Sequence, residues 1–148
     1  MCFFDKDVLY NDFGDDMKYY LFIIKKEYYK NNDFYLYNML ERLKLMDKDN
    51  YNYGVDIIKS VCSNFDDKVI INYIDQKYHI RKCGNTYYLN SEDSIKICRG
   101  YCLIKTKRHL RELMCLFYIY HKNIFVCNFS LGSYFWLEDE IIGKYVEN

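Results

Sequence analysis

Apolar positions in the first half of the chain recur at helical spacing. Phe34–Met46 carries its apolar side chains three residues apart with charged residues on the other side, which predicts an amphipathic helix. The same spacing predicts helices over 53–65 and over 17–30, although the YYLFII run in the latter is also typical of a strand. Residues 1–16 predict a short strand or coil that ends in a helix N-cap. The first half is therefore expected to be mainly helical.

The pattern changes after Asp66-Asp67, where short runs of β-branched and aromatic residues alternate with polar ones. The runs are KVIINYI, KYHIR and TYYLN, and the residue pairs at 75–76 and 84–85 between them are suited to turns. This pattern predicts a β-meander over 68–90. Glu92–Cys98 follows as a short helix or strand.

The last third of the chain predicts a helix, a strand and a closing element. Thr106 is a plausible N-cap for a helix over 107–120, whose apolar residues fall on one face. Residues 124–129 are expected to form a strand. The final element is expected over 134–145, with Trp136 turned inward.

Runs of helices followed by runs of strands indicate an α+β fold. We expect N-terminal helices, then a small antiparallel β-meander, a basic amphipathic helix and a closing strand–helix. The chain divides into an acidic helical part, 1–67, and a basic α+β part, 68–148, or forms one single domain of 148 residues.

Charge is segregated along a chain whose formal net charge is zero. Residues 1–67 carry nine basic and thirteen acidic side chains, whereas residues 68–148 carry twelve basic and eight acidic ones. The stretch 68–137 is the most basic, with eleven cations against four carboxylates. Such asymmetry favours a polyanionic partner for the second half. An attraction between the two halves explains it equally well.

Basic residues with tyrosines nearby make the candidate site. Three- and four-residue spacings place basic residues of the expected helix on one face, where they suit phosphates and base edges. The tyrosines are available for stacking on bases. A solvated helix face is the competing interpretation. The predicted nucleic-acid-binding residues are Arg81, Lys82, Tyr87, Tyr88, Lys105, Lys107, Arg108 and Arg111.

Other chemistry has less support in the sequence. Cys98, Cys102 and His109 suggest zinc, but the spacings that follow fit no common zinc module. There is no phosphate loop, HExxH motif or nucleophile elbow, so we expect a non-enzymatic protein without a cofactor. The seven cysteines include no CxxC and are expected to be reduced thiols. The apolar run near the N-terminus is too short for a signal-peptide core, and no run is long enough to span a membrane.

Two stretches of the second half carry a family resemblance. TYYLNSEDSIKIC stands where the KilA-N family has a strand ending in YIN followed by a small helix. IFVCNFSL, Trp136 and LEDEIIGKYV stand where it has YVHPDL, a Trp and a helix ending in Lys-Val. Residues 78–148 thus resemble a shortened KilA-N domain, a DNA-binding module of poxviral and other viral proteins. The resemblance implies DNA contact through the hairpin and the basic helix.

Two rival poxviral likenesses imply a different role. CGNTYYLNSEDS, KRHLRELMCLFY and FWLED resemble the first half of a C-type lectin-like domain. LYNMLERL, NYGVDIIKSV and SIKICRGYC resemble poxviral Bcl-2-like inhibitors of host signalling, which are all-helical. The prediction is a viral accessory protein of the host cell cytoplasm that binds DNA or another nucleic acid. The alternative is a module that modulates host immunity by binding a host protein and binds no nucleic acid.

Overall fold

The computed structural model describes residues 18–44 and 51–146, with side chains over 18–44 and 54–143. The elements expected over residues 1–16 lie outside this part. Eight strands of the described part form one antiparallel sheet, in the order β3-β4-β5-β6-β1-β7-β8, with β2 also paired to β1. The strands are β1 (Lys18–Ile24), β2 (Cys62–Ser63), β3 (Arg81–Cys83), β4 (Thr86–Tyr88), β5 (Ser94–Cys98), β6 (Tyr101–Lys105), β7 (Ile124–Asn128) and β8 (Ser133–Trp136).

Helices lie between these strands, which makes the fold mixed α+β as predicted. A short 3-10 helix (Lys26–Tyr28) follows β1. The α-helices of the described part are α1 (Asp33–Lys44), α2 (Tyr51–Val61), α3 (Asp67–Lys77), α4 (Leu110–Tyr120) and α5 (Leu137–Val146). The predicted boundary at Asp66-Asp67 falls between β2 and α3, and residues on both sides of it contribute strands to the same sheet.

Strand β1 is the centre of the fold. It lies between β6 and β7 and is buried on both faces. Tyr20, Phe22 and Ile24 join a core with α1 and α2, on the side that we call the α1 face. Leu21 and Ile23 join a second core with α3, α4 and α5, on the α4 face. Each fully buried Leu, Ile or Phe contributes roughly 1.5–3 kcal/mol to stability.

The prediction of a helix over 17–30 is therefore wrong. A strand covered on both faces needs apolar side chains at successive positions, so it loses the alternation that identifies a strand in sequence. Residues 18–24 match a helical face equally well. The pairing of β1 with β6 and β7 decides between the two.

The first run of the predicted meander is also wrong, because KVIINYI lies in helix α3. The Asp66 carboxylate caps this helix by accepting a hydrogen bond from the Val69 N–H at 3.3 Å. Ile70 and Ile74, four residues apart, are buried on the α4 face, whereas Val69 is 41% exposed. The meander exists but begins at Arg81, and it runs through four sequence-adjacent strands to Lys105.

The other predicted elements are confirmed with shifted bounds. The helix over 34–46 is α1, that over 53–65 is α2, and the strand over 124–129 is β7. Residues 94–98 form a strand, one of the two expected structures. The closing element is β8 followed by α5, with Trp136 buried.

The basic helix begins three residues later than predicted, which moves two site residues off it. His109 is its cap residue, and α4 begins at Leu110. Thr106 accepts a hydrogen bond from the His109 N–H at 3.1 Å but lies outside the helix. Lys107 and Arg108 consequently lie in the loop between β6 and α4, and Arg111 lies in the first turn of α4.

Candidate nucleic-acid interface

Four successive strand pairings place five residues in one line across the sheet. Arg81 is paired with Tyr88, Tyr88 with Ser94, Ser94 with Lys105, and Lys105 with Lys18. Residues paired directly in an antiparallel sheet project from the same face. We call this line the basic row. At about 4.8 Å between neighbouring strands, Arg81 and Lys105 lie about 14 Å apart along it.

The basic row lies on the α1 face, close to the end of the sheet. Leu103, two residues before Lys105, belongs to the core of that face, and alternate residues of a strand share a face. The α1-face residues of β3 to β6 include the cations Arg81, Lys96 and Lys105 and no carboxylate. They are Arg81, Cys83, Thr86, Tyr88, Ser94, Lys96, Cys98, Tyr101, Leu103 and Lys105.

Side chains of the α1 face become more exposed toward its β3 edge. Tyr101 and Leu103 of β6 are buried beneath α1 and α2, whereas the side chains of Tyr88 and Lys96 are half-buried. Arg81 and Lys105 are exposed. The opposite face is closed at the same position, because Ile95 and Ile104 are wholly buried in the core beneath α4. Around Lys105 the α1 face is therefore the more accessible one, whereas Lys18, at the end of the row, is buried.

The two predicted stacking tyrosines point to opposite faces, because they are adjacent residues of β4. Each ring already carries a basic side chain from β3. The Arg81 guanidinium lies 5.6 Å from the centre of the Tyr88 ring, and the Lys82 ammonium lies 5.6 Å from that of Tyr87. Tyr88 belongs to the basic row, whereas Tyr87 and Lys82 lie on the α4 face. The predicted site is thus divided by the sheet.

A basic loop continues the row beyond the end of β6. We use this name for residues 106–109, in which the exposed Lys107 and Arg108 come two and three residues after the row residue Lys105. Arg111 is exposed in the first turn of α4. The structure thus brings Arg81, Tyr88, Lys105, Lys107 and Arg108 to one end of the sheet.

The buried carboxylate of Asp93 fixes this loop. Its Oδ2 lies 2.6 Å from His109 Nδ1, and it accepts a hydrogen bond from the Asn90 amide at 2.8 Å. The Thr106 side chain hydrogen-bonds to the same carboxyl group. Asp93 is 2% exposed. A residue between β4 and β5 therefore positions the loop that presents Lys107 and Arg108.

Two opposing effects act on the pKa of Asp93. Burial acts to raise it, while the hydrogen bonds from Asn90, Thr106 and His109 and the positive charge of His109 act to lower it. The hydrogen bonds prevail, and the pKa lies below its ordinary value. Asp93 is accordingly a carboxylate at neutral pH.

A second carboxylate borders the loop from α4. Glu112 accepts a hydrogen bond from the Tyr78 hydroxyl at 2.5 Å and forms an ion pair with Lys77 at 3.6 Å. The Tyr78 hydrogen bond is the largest influence lowering the pKa of Glu112, with Lys77 and His109 adding to it. The Tyr78 ring meets the His109 ring edge-on, with 6.4 Å between ring centres.

Sequence reasoning missed the pairing of Asp93 with His109. In the sequence Asp93 is one of four carboxylates in a basic stretch, and His109 stands near basic residues and among the candidate zinc ligands. Sixteen positions separate them, and their contact depends on the pairing of β5 with β6. No local pattern reports such a contact.

The residues considered for zinc are not brought together. Cys98 packs against the α1-face core, whereas Cys102 is buried in the α4-face core. Within residues 18–44 and 51–146, no three His, Cys, Asp or Glu side chains form a group suited to a metal ion. The six cysteines of that part form no disulfide bond with one another.

Comparison with known proteins assigns no family. No family model matches the chain, and a search of curated proteins gave no significant match.

The all-helical fold implied by the Bcl-2-like resemblance differs from the observed eight-stranded sheet. Each helix of the described residues is too short or too polar to span a bilayer.

Proposed function

We propose that this chain is a non-enzymatic viral accessory protein that binds nucleic acid, with DNA as the expected ligand. The basic row carries the proposal. Arg81 and Lys105 share one line on an accessible sheet face, with Tyr88 between them and no carboxylate on that face of β3 to β6. Cations on a flat surface neutralise phosphates, and an aromatic ring among them offers a stacking surface.

The basic loop extends this surface toward α4. Lys107 and Arg108 are exposed at the end of β6, and Asp93 holds the loop in place. A nucleic-acid backbone that follows the row from Arg81 to Lys105 then reaches both loop cations. The KilA-N resemblance agrees with contact through the same hairpin, although the basic residues divide between a loop and a helix. The host cell cytoplasm remains the proposed compartment.

The decisive experiment compares charge reversal at two ends of the sheet. Fluorescence anisotropy with labelled single- and double-stranded oligonucleotides is measured at several salt concentrations. One variant carries Arg81→Glu and Lys105→Glu. The matched control carries Lys59→Glu and Lys122→Glu, two exposed lysines that flank β2 and β7 at the far end of β1. Both variants change the net charge by the same amount.

The wild-type protein is expected to bind with an affinity that falls steeply as salt rises. The row variant is expected to bind at least tenfold more weakly. The slope of log affinity against log salt concentration is expected to become shallower by roughly 1.4–1.8, since each of the two lost phosphate contacts contributes about 0.7–0.9. The control variant is expected to keep most of the affinity. Absence of binding at low salt, or equal losses in both variants, would contradict the proposal.

A variant of the loop and α4 tests how far the surface extends. Reversal of Lys107, Arg108 and Arg111 to Glu is expected to reduce binding beyond the control. If only this variant loses affinity, the ligand follows the loop and helix rather than the sheet. If the protein ignores all oligonucleotides and copurifies with one acidic host protein, that protein is the partner of the basic surface.

A further inference from the structure

We propose that His109 is a further phosphate-binding residue of this surface, and that it makes the contact only as an imidazolium held by Asp93. This inference rests on the proposed nucleic-acid function. It adds a residue outside the predicted set and makes binding depend on pH. The ligand group is a backbone phosphate of the nucleic acid.

Asp93 engages one ring nitrogen of His109. His109 Nδ1 lies 2.6 Å from the Asp93 carboxylate. The His109 side chain is 36% exposed, whereas that of Asp93 is 2% exposed. Since Asp93 is ionised, Nδ1 carries the hydrogen of this contact. Among the described residues Nε2 has no hydrogen-bond partner, so it is the ring nitrogen that a ligand can engage.

The ring stands beside the cations that the proposed function uses. Arg108 precedes it directly, and Lys107 is two residues away. Thr106 fixes the backbone by accepting a hydrogen bond from the His109 N–H at 3.1 Å. The three residues are thus neighbours in the basic loop.

The protonation state decides what Nε2 offers to a phosphate. In the neutral ring, Nδ1 keeps its hydrogen for Asp93 and Nε2 presents a lone pair, which repels phosphate oxygens. In the imidazolium, Nε2 becomes an N–H donor with a positive charge, and such charge-assisted hydrogen bonds to phosphate are strong. Histidine changes its charge between about pH 5 and 8.

Charged groups surround the ring from each element packed against it. Asp93 faces it from the segment between β4 and β5, and Glu112 acts on it from α4. The Tyr78 ring lies edge-on to it after α3, with Lys77 paired to Glu112. Asp93 and Glu112 are thus the carboxylates that border the ring.

The test measures oligonucleotide anisotropy at pH 5.5, 6.5, 7.5 and 8.5 and constant ionic strength. The proteins are the wild type, His109→Gln and His79→Gln. Glutamine still donates to Asp93, and thermal melts at each pH establish that the variant is folded. His79 is the matched control, because it is exposed and lies two residues before the row residue Arg81.

Wild-type affinity is expected to rise about tenfold from pH 8.5 to 5.5, which corresponds to one charge-assisted contact. His79→Gln is expected to keep this rise. His109→Gln is expected to lose it, so that its affinity stays close to the wild-type value at pH 8.5. A rise retained in His109→Gln and lost in His79→Gln would overturn the inference, and so would a wild-type affinity without pH dependence.

A second measurement separates this inference from the proposed function. Imidazole NMR signals of the full chain are followed while inorganic pyrophosphate is added at pH 6 and pH 8. The His109 signal is expected to shift at pH 6 and to remain unchanged at pH 8. If the signal shifts but no oligonucleotide binds, the phosphate contact stands and the nucleic-acid function fails. If the signal stays unchanged at both pH values, the inference fails.

Discussion

The hydroxyl of Tyr29 donates a hydrogen bond to the carboxylate of Glu138, 109 residues further along the chain. The Tyr29 ring also packs edge-on against the buried Trp136, with 4.6 Å between ring centres. Beside it, Lys30 pairs with Asp139 at 2.6 Å. The turn after β1 is thereby joined to the first turn of α5.

Loss of this hydroxyl is expected to destabilise the fold. Tyr29→Phe keeps the ring against Trp136 but removes a hydrogen bond to a charged acceptor, so the free energy of unfolding is expected to fall by about 1–2 kcal/mol. Urea denaturation measures the change. Tyr28→Phe is the control, because Tyr28 is exposed and its hydroxyl has no hydrogen-bond partner among the described residues. Equal losses in the two variants would contradict the role given to Glu138.

The buried Asp93 is expected to make stability depend on pH. Because its pKa is lower in the folded protein than in the unfolded chain, its ionised form contributes stability above the ordinary value of 3.8. That contribution is lost as pH falls through the folded pKa. Asp93→Asn is therefore expected to cost about 2 kcal/mol at pH 7 and much less near pH 2.

Urea denaturation of wild type and variant at pH 7, 4 and 2 checks this expectation. Glu92→Gln is the control, since Glu92 is exposed and only its backbone N–H bonds to Asn90. Its effect is expected to stay within about 0.5 kcal/mol, as for other surface substitutions. A constant difference between wild type and Asp93→Asn at all three pH values would refute the ionised role of Asp93.

Adjacent tyrosines of β4 are expected to differ in nucleic-acid binding. Tyr88 lies in the basic row on the α1 face, whereas Tyr87 lies beside Lys82 on the other face of the sheet, away from the row. Tyr88→Leu is expected to weaken single-stranded oligonucleotide binding about tenfold, because a stacked base contributes about 1–3 kcal/mol. Tyr87→Leu is expected to change the affinity less than twofold. Anisotropy compares the two, and the reverse order would place the ligand on the other face.

Two turn glycines are expected to differ in their tolerance of alanine. Gly100 lies between β5 and β6 with φ +81°, and an added Cβ would meet Ile58 Cγ2 at 2.3 Å. Gly84 lies between β3 and β4 with φ +61°, and an added Cβ there would meet nothing within 4 Å. Gly84→Ala is expected to cost about 1 kcal/mol from the backbone alone. Gly100→Ala is expected to cost about 3 kcal/mol, since overpacking against a buried side chain adds to the strain.

Thermal and urea denaturation of both glycine variants measures these costs. The larger cost at Gly100 would show that the β5–β6 turn packs against α2, which carries Ile58. Similar costs at the two positions would mean that the Ile58 side chain moves aside without a loss of stability. The contact between Ile58 and the added Cβ would then not destabilise the fold.

The sequence by itself determined the elements whose pattern is local. Helix α1 was predicted because one of its faces meets the core and the other meets solvent, so its apolar residues keep helical spacing. Strands β3 and β4 were predicted because Gly84-Asn85 marks a turn between alternating runs, whereas β5 was left open between helix and strand and β6 was not predicted. The mixed α+β class, the buried Trp136 and the segregation of charge likewise required no knowledge of distant contacts.

Only the tertiary structure decided the identity of β1 and α3. Both are short, apolar runs that fit either a helix or a strand. Residues 18–24 are a strand because β6 and β7 pair with them, and residues 67–77 are a helix because Asp66 caps it and Ile70 and Ile74 reach the core. The Asp66 cap is local, but the strands that pair with β1 and the core that receives Ile70 and Ile74 lie far away in sequence, and a local pattern contains no information about them.

For the candidate site, too, the sequence predicted one part and the tertiary structure decided the other. The sequence named eight basic and aromatic residues, because charge and aromaticity are properties of single side chains. Strand register placed Arg81, Tyr88 and Lys105 in one row and turned Lys82 and Tyr87 to the other face. The contact of Asp93 with His109 arose only when β5 paired with β6. Which face a side chain occupies depends on the pairing of whole strands, and only the folded chain fixes that pairing.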